Sequence, residues 1–252
     1  MVKLNIAEIN KTYWNGDVYE PSDDTFLLVD VLQQHAEAWV NKWPRCCLEL
    51  GSGSGYVIAS LALLLRQLAG PSFGWPAAHP RSCQLLAVDQ SPAAVEATRT
   101  TLQAHKVTEV DVLAANLLGP LMGRLRGSVD VMVFNPPYVP TPDEEVKRGG
   151  IASAWAGGYR GRRVIDQVLP LLPELLSPRG ELFMVTVTEN DPQGIIEEML
   201  GFGFQGESYH QHHHQQSKKG DVCAPLSLVP TVLWVSPLPS TGCRAKFPRL
   251  TI

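Results

Sequence analysis

CCLELGSGSG, residues 46–55, joins a short apolar run to a segment in which glycine recurs at every second position. The apolar run predicts a buried β-strand, and residues 57–68 predict an apolar helix directly after the turn. Glycines at positions 51, 53 and 55 let the backbone turn sharply and approach a ligand at the positive end of that helix. The unit is therefore a strand, a glycine turn and a helix.

The same alternation continues along the chain. A second buried strand over residues 84–88 ends in Asp89, and residues 92–104 predict the next helix. Further strands are predicted at 111–115, 129–134 and 181–188, and further helices at 25–39 and 164–176. This order predicts an α/β fold, a mostly parallel, doubly wound sheet with helices on both faces. Ligands of such sheets bind beyond the carboxyl ends of the strands.

The composition limits the class of protein. A hydrophobic content of 44% in 252 residues suits one sizeable core and excludes a disordered chain. The net charge of −4 provides no overall basic field, which disfavours nucleic acid as a partner. Apolar runs stay short of the ~18 residues of a bilayer crossing, and the first residues lack a signal-peptide pattern. We therefore expect a soluble, intracellular protein without a membrane partner.

Cysteine usage and two unusual segments bear on metals and domain organisation. Five cysteines without paired spacing support neither a disulfide framework nor a zinc site, so no metal is predicted. Residues 69–82 are rich in proline and predict a loop insertion. The His/Gln tract at 210–216 predicts a solvated loop, with metal binding as the alternative.

The C-terminal segment departs from the α/β pattern. Prolines recur from residue 220 onward, and Pro230 interrupts residues 226–235, which otherwise resemble a strand. We therefore predict an N-terminal extension at 1–18, a catalytic domain at 19–209 and a divergent tail at 210–252. The hypothesis is that this tail, divergent or alternatively spliced, leaves one edge of the sheet incomplete.

Asn135-Pro136-Pro137-Tyr138 follows the fourth predicted strand. Two prolines would also suit a plain turn, which is the alternative interpretation. The preceding strand directs the Asn135 side chain and the Pro136 carbonyl, both acceptors, toward the ligand edge, with Tyr138 as an aromatic face. This combination suits a planar NH2 group, whose N–H bonds must be held while positive charge develops on nitrogen during methylation. No general base is required, and His35, His79 and His105 are interpreted as surface or packing residues.

The glycine turn disfavours a nicotinamide cofactor. A dinucleotide fingerprint places Gly or Ala three residues after the second glycine, but Gly53 is followed by Ser54, Gly55 and Tyr56. Such a turn, with Asp89 at the end of the next strand, resembles class I methyltransferases that use S-adenosylmethionine. Asp89 stands where a ribose diol would bind.

Several segments carry a closer resemblance. They are YEPSDDTFLL at 19–28, the glycine turn at 49–55, Asp89, FNPPYV at 134–139, AWAGG at 154–158 and Gly161-Arg162. Together they resemble the HemK family of glutamine N5-methyltransferases over about residues 17–204. This resemblance implies a Rossmann-like class I methyltransferase fold and assigns residues 19–209 to the methyltransferase domain.

The resemblance also implies roles for individual residues. Asn135, Pro136, Pro137 and Tyr138 would bind the acceptor, and Asn135, Pro136 and Tyr138 would act in catalysis. The donor S-adenosylmethionine would be bound by Thr25, Glu49, Gly51, Gly53, Gly55, Asp89, Asn116 and Asn135. Relatives usually have Asp at the position of Asn116, where it accepts from the adenine amino group. An Asn carbonyl accepts the same hydrogen bond without charge assistance, which suggests weaker donor binding.

The short segment before Glu20-Pro21 resembles the eukaryotic and archaeal branch of the family. This branch implies methylation of the glutamine in the Gly-Gly-Gln loop of a class I translation termination factor. It also implies a small zinc-binding activator subunit at the edge near residues 111–115, and a cytoplasmic location with the nucleus as a second compartment. Three alternatives stay open: methylation of DNA adenine, methylation of a histone lysine, and a weakly active isoform that sequesters the activator.

Overall fold

A computed structural model describes residues 4–70, 82–210 and 229–238. Seven β-strands lie within these ranges. They are β1 (Cys46–Leu50), β2 (Gln84–Asp89), β3 (Val110–Ala114), β4 (Val129–Phe134), β5 (Leu176–Thr186), β6 (Phe204–His210) and β7 (Thr231–Pro237).

The helices of the same ranges differ greatly in length. The long ones are α1 (Asp23–Asn41), α2 (Tyr56–Leu68), α3 (Pro92–Ala104) and α8 (Pro192–Gly201). The short ones are α4 (Met122–Leu125), α5 (Asp143–Lys147), α6 (Ile165–Val168) and α7 (Leu172–Leu175). None of the helices in the described part of the chain is long and apolar enough to cross a membrane.

The strands form one sheet in the order β3-β2-β1-β4-β5-β7-β6. Neighbours from β3 to β5 pair in parallel, whereas β7 lies antiparallel between β5 and β6. The predicted α/β fold with a mostly parallel sheet is therefore confirmed. The chain order reverses direction between β1 and β4, which is where a sheet of this kind opens a ligand crevice.

Alternating side chains of the central strand β4 supply both halves of the core. Val131 and Val133 join the cluster formed with α1 and α2, whereas Met132 and Phe134 join the cluster formed with α6, α7 and α8. All four side chains are buried. The sheet is thus covered on both faces, as a parallel sheet requires.

Most predicted elements agree with the structure, and the largest difference among them concerns the fifth strand. This strand begins at Leu176 instead of residue 181, and the helix predicted at 164–176 is divided into α6, a 3-10 turn and α7. Pro170 and Pro173 explain the division, because each lacks the N–H that a continuous helix would use. The third strand begins one residue earlier than predicted, at Val110.

The prediction for the C-terminal segment was wrong. Residues 231–237 form β7, which pairs with β5 and β6 over its length, so the sheet continues beyond residue 209. Pro230 lies just before the strand, where its missing N–H costs no ladder hydrogen bond. The domain boundary predicted at 209 is therefore too early. The His/Gln tract after His210 and most of the insertion at 69–82 lie outside the described residues.

Candidate functional site

Two cavities open at the carboxyl ends of the central strands, and they share Gly51, Asp89 and Asn135 in their linings. The first cavity is also lined by Tyr19, Asp24, Thr25, Glu49, Ser52, Gly53, Ser54, Tyr56, Val57, Pro136, Tyr138, Val139, Ala154 and Trp155. The second is also lined by Leu50, Val88, Gln90, Ala115, Asn116, Leu117, Phe134, Pro137, Val164 and Gln167. Most of the site residues predicted from the sequence therefore meet in one cleft.

The glycine turn between β1 and α2 forms the floor of the first cavity. The amide of Gly51 donates to the carbonyl of Val88 at 2.7 Å, which fixes the turn against β2. Gly53 has a φ of +50°, and a Cβ built there meets nothing within 4 Å. The turn thus presents bare backbone to open space, as a site for close approach of a ligand requires.

Gly55 has a packing role beyond the one predicted. It is absent from both cavity linings, and a Cβ at this position would lie 2.8 Å from the Cα of Thr98 in α3. Its φ of +78° adds a second reason for glycine just before α2 begins. The close packing of α2 on α3 therefore requires glycine at position 55, and its contact with the donor stays a prediction.

Asp89 ends β2 and faces both cavities. Its carboxylate accepts hydrogen bonds from the amides of Gly53 at 3.0 Å and Ser91 at 2.8 Å. Burial raises the pKa of Asp89, and these backbone hydrogen bonds oppose the rise. Asp89 thus ties the glycine turn to β2 while its carboxylate lines the cleft.

Glu49 and Thr25 also line the first cavity. Glu49 is buried, and its Oε2 accepts a hydrogen bond from the amide of Ile58 at 3.0 Å in the first turns of α2. Burial raises its pKa well above the usual range. Thr25 is buried in the first turn of α1, where its hydroxyl donates to Asp24 at 3.2 Å.

The side-chain amide of Asn135 has a fixed orientation. Its Nδ2 donates to Oδ2 of Asp24 at 3.0 Å. A carboxylate only accepts, so Nδ2 must face Asp24 and Oδ1 must face away from it. Oδ1 of Asn135 is buried and has no hydrogen-bond partner in the described part of the chain. A buried acceptor without a partner is costly, which indicates that a ligand donor completes it.

Tyr138 approaches the same carboxylate. Its hydroxyl donates to Oδ2 of Asp24 at 2.9 Å. Burial, followed by the charge of Asp24, raises the pKa of Tyr138, so the hydroxyl remains a donor. Pro136 lines the first cavity beside Tyr138, whereas Pro137 lines the second. The predicted acceptor residues are thus divided between the two cavities.

Sequence reasoning missed Asp24 as a site residue. Its side chain is 3% exposed and lies in the first turn of α1. The available signal was the Asp23-Asp24 pair in the segment YEPSDDTFLL, which does not predict a contact with a motif 111 positions later. Only the packing of α1 beside the end of β4 reveals the contact.

Asn116 and Leu117 lie together in the second cavity. Leu117 has a φ of +50°, which is a strained conformation for a residue with a branched side chain. Asn116 is exposed at the cavity rim. Among the described residues there is no group of three or more His, Cys, Asp or Glu side chains that could hold a metal ion.

The sequence is similar to those of several known methyltransferases. It is 44% identical over 190 residues to Methyltransferase HEMK2 of Mus musculus, covering 75% of this chain and 81% of the relative. It is 33% identical over 199 residues to the eRF1 methyltransferase catalytic subunit mtq2 of Schizosaccharomyces pombe, covering 75% of this chain and 80% of the relative. No family model matches the chain.

Solved structures share the fold. The E. cuniculi Mtq2–Trm112 complex, described as methylating the eRF1 translation termination factor, matches with a TM-score of 0.50 and 20% identity over 88% of this chain and 98% of that chain. Precorrin-6y C5,15-methyltransferase of Geobacter metallireducens matches with a TM-score of 0.54 and 11% identity over 93% and 98%. The Rossmann-like class I methyltransferase fold is thereby established. Together with its close relatives HEMK2 and Mtq2, this chain belongs to the HemK family of glutamine methyltransferases.

Proposed function

We propose that this chain transfers a methyl group from S-adenosylmethionine to the side-chain nitrogen of the glutamine in the Gly-Gly-Gln loop of a class I translation termination factor. The names of its relatives support this proposal, since the mtq2 relative is an eRF1 methyltransferase catalytic subunit. One observation within the site carries the proposal. The buried, unpartnered Oδ1 of Asn135 is an acceptor that a glutamine amide N–H would complete.

The two cavities, which share Gly51, Asp89 and Asn135 in their linings, offer polar groups and bare backbone for the donor. Gly51 and Gly53 leave the room for it beside the glycine turn, and Asp89 offers a carboxylate where the cavities meet. Asn116 would accept from the adenine amino group in the second cavity, while Thr25 and Glu49 would line the methionine end. When bound, the donor supplies a methyl group attached to a positively charged sulfur, and the sulfur keeps the electron pair of the broken C–S bond.

The acceptor would bind in the first cavity beside Asn135. Oδ1 of Asn135 and the Pro136 carbonyl would each accept one N–H of the glutamine amide, and the ring of Tyr138 would restrict its plane. The amide nitrogen becomes positively charged as its bond to the methyl carbon forms. Both oxygen acceptors are more strongly attracted to that charged state than to the neutral amide, so they lower the barrier.

Proton removal needs no side-chain base in this scheme. The amide lone pair is delocalised, so the methylated nitrogen is a strong acid and passes one proton to water after the transfer. Tyr138 keeps its own proton, because burial and the neighbouring Asp24 raise its pKa. The chain's contribution is therefore orientation and charge stabilisation rather than proton abstraction.

An edge strand favours the proposed activator subunit. Among the described residues, β3 pairs with β2 alone and lies at the end of the sheet, so a partner can extend the sheet there. A third cavity lies along this edge, and Val112, Leu113 and Leu121 contribute apolar side chains to it. The solved Mtq2–Trm112 complex pairs a structurally similar chain with a second subunit. We propose a small, zinc-binding partner of this kind, acting in the cytoplasm and also in the nucleus.

One observation favours a second candidate function. Asn116 lines the second cavity without the charge of a carboxylate, which weakens a hydrogen bond to an adenine amino group. A chain with poor donor affinity would still occupy the activator and sequester it. Donor binding therefore separates the enzyme from the competitor.

The test is methyl transfer from labelled donor to purified termination factor, using the chain co-expressed with the activator. The proposal expects label on the factor with the wild-type chain and loss of about 100-fold or more in kcat with Asn135→Ala, because that variant removes a transition-state hydrogen bond. Calorimetry on the same preparations measures donor affinity. Donor binding without transfer would contradict this acceptor, and absent donor binding would favour the competitor.

A further inference from the structure

The first cavity contains a buried carboxylate, that of Asp24, which has no assigned role in the proposed methyl transfer. Asp24 accepts hydrogen bonds at both oxygens. At Oδ2 the donors are Asn135, Tyr138 and Tyr19, at 3.0, 2.9 and 3.3 Å. Every donor on that oxygen is a side chain lining the same cavity. This carboxylate is therefore built into the acceptor site.

We infer that Asp24 is a positioning residue that fixes which end of the Asn135 amide faces the acceptor. The inference rests on the proposed amide methylation, because it concerns how the acceptor nitrogen is held. Rotation of the Asn135 amide by half a turn would place Oδ1 against Oδ2 of Asp24. Two acceptors at hydrogen-bond distance repel each other, so Asp24 excludes that orientation.

The consequence is a site that selects hydrogen-bond donors. The bond to Asp24 uses one N–H of Nδ2 and turns the amide so that Asn135 offers its oxygen as an acceptor, and that oxygen is the buried atom without a partner. An acceptor group with an N–H satisfies it, whereas a group that offers only an oxygen would leave it unpaired. Asp24 thereby favours an amide nitrogen over a carboxylate or ester at the same place.

The charge of Asp24 acts in the same direction. A hydrogen bond from Nδ2 to a buried carboxylate polarises the Asn135 amide and increases the negative charge on its oxygen. That oxygen faces the nitrogen on which positive charge develops. Asp24 thus strengthens the acceptor without touching the substrate.

Asp24 also stabilises the start of α1, and the experiment must distinguish this structural role from its effect on Asn135. Its Oδ1 accepts from the amide of Thr25 at 2.7 Å and from the hydroxyl of Ser22 at 2.8 Å, so it helps to begin α1. Asp23 is the neighbouring acid in the same first turn, and it is exposed. Asp23→Asn removes the same charge from the same helix end without touching Asn135, which makes it the matched control.

The variant to test is Asp24→Asn, which keeps the size of the side chain and allows its amide to face Asn135 in either orientation. In the complex with the activator, we expect kcat on the termination factor to fall about 100-fold, the effect of a misplaced reacting group. Donor affinity should remain at the wild-type value, because the change lies at the acceptor side. Asp23→Asn should retain the wild-type kcat.

A second readout does not depend on activity. The side-chain NH2 of Asn135, assigned by the loss of its NMR signal in Asn135→Ala, should have one proton shifted downfield in the wild-type protein by the bond to Asp24. In Asp24→Asn that shift should be lost.

Two results would overturn the inference: wild-type kcat in a folded Asp24→Asn protein, or an Asn135 signal without the downfield proton in the wild type. A wild-type chain that fails to methylate the factor counts against the proposed function instead. In that case the NMR comparison still decides whether Asp24 holds Asn135.

Discussion

The two ends of helix α1 (Asp23–Asn41) contact very different surroundings. Its first turn meets the cleft through hydrogen bonds, chiefly those from Asn135 and Tyr138 to Asp24. Its later turns meet the C-terminal part of the sheet through aromatic rings, with His35 and Trp39 beside Phe183. One rigid element therefore joins the acceptor site to the C-terminal strands.

This contrast separates activity from stability along a single helix. Polar contacts in the first turn orient groups that react, so their loss should reduce catalysis more than folding. Aromatic contacts in the later turns bury apolar area, so their loss should reduce the free energy of unfolding more than catalysis in the folded protein. Substitutions at the two ends that change kcat and the free energy of unfolding in the same proportion would contradict this separation.

Trp39→Ala should give the largest effect on stability. The Trp39 side chain is 3% exposed, and its indole N–H donates to Oε2 of Glu181 at 2.9 Å. Its removal creates a cavity and should lower the free energy of unfolding by about 3–5 kcal/mol. Denaturant unfolding measures this loss, and calorimetry on the folded protein should show unchanged donor affinity.

Trp39→Phe is the matched control, because it keeps a six-membered aromatic ring while it removes the N–H and the pyrrole part of the indole. The expected loss is about 1–3 kcal/mol, the usual penalty for an unsatisfied buried partner. An equal loss in the two variants would show that the hydrogen bond, not the buried ring, holds this end of α1. A loss of donor binding in either variant would contradict the separation.

His35 should make this same end sensitive to acid. Its ring lies 4.9 Å from that of Phe183, its Nε2 is 3.1 Å from the Tyr209 hydroxyl, and burial lowers its pKa from 6.5 to about 4. As the pH falls, His35 therefore binds a proton in the unfolded chain before it does so in the folded chain. The free energy of unfolding should therefore be highest above pH 6.5 and fall by about 3 kcal/mol as the pH is lowered to 4.

The control is His35→Phe, measured over the same pH range by denaturant unfolding. Glu181, the half-buried acid of this cluster, has a pKa raised by burial, so its contribution has the opposite slope. It is present in both proteins, and the difference between them isolates His35. Equal pH slopes in the two proteins would contradict a buried, neutral His35.

Tyr138→Phe should have a smaller effect on stability than the changes at the later turns. It removes one of the hydrogen bonds to Asp24 and should cost about 0.5–1.5 kcal/mol of unfolding free energy. The kcat should fall as well, because Asp24 and Asn135 become less constrained. Steady-state kinetics with the termination factor measure this effect.

Tyr19→Phe offers the weakest perturbation of the first turn. Its hydroxyl lies 3.3 Å from Oδ2 of Asp24, longer than the 2.9 Å of Tyr138. The loss of kcat should therefore be smaller than for Tyr138→Phe. A larger loss of kcat for Tyr19→Phe than for Tyr138→Phe would contradict this order and show that Tyr19 makes the more important hydrogen bond to Asp24.

Sequence patterns predicted the part of the cleft around the glycine turn better than the part around Asn135. The glycine turn and Asp89 belong to neighbouring strand ends, so periodicity and turn chemistry were enough to bring them together. The contact between Asp24 and Asn135 joins residues 111 positions apart, and it depends on how α1 packs. The packing role of Gly55 was missed for the same reason, because its neighbour Thr98 is distant in sequence.

The C-terminal strand shows a second limit of sequence reasoning. The sequence predicts that Pro230 interrupts residues 226–235, whereas Pro230 only precedes a strand that starts at Thr231. The register against β5 and β6 supplies the evidence that sequence alone lacked, since β7 lies antiparallel between two strands. A proline limits a strand only where its N–H is needed.

The atom that receives the methyl group is the decisive observation for the proposed glutamine methylation. Wild-type chain with the activator would methylate purified termination factor, and tandem mass spectrometry of the peptides would locate the label. The account predicts label on the side-chain nitrogen of the Gly-Gly-Gln glutamine. Label on a lysine, or an unmodified glutamine in the presence of a donor-binding protein, would contradict it.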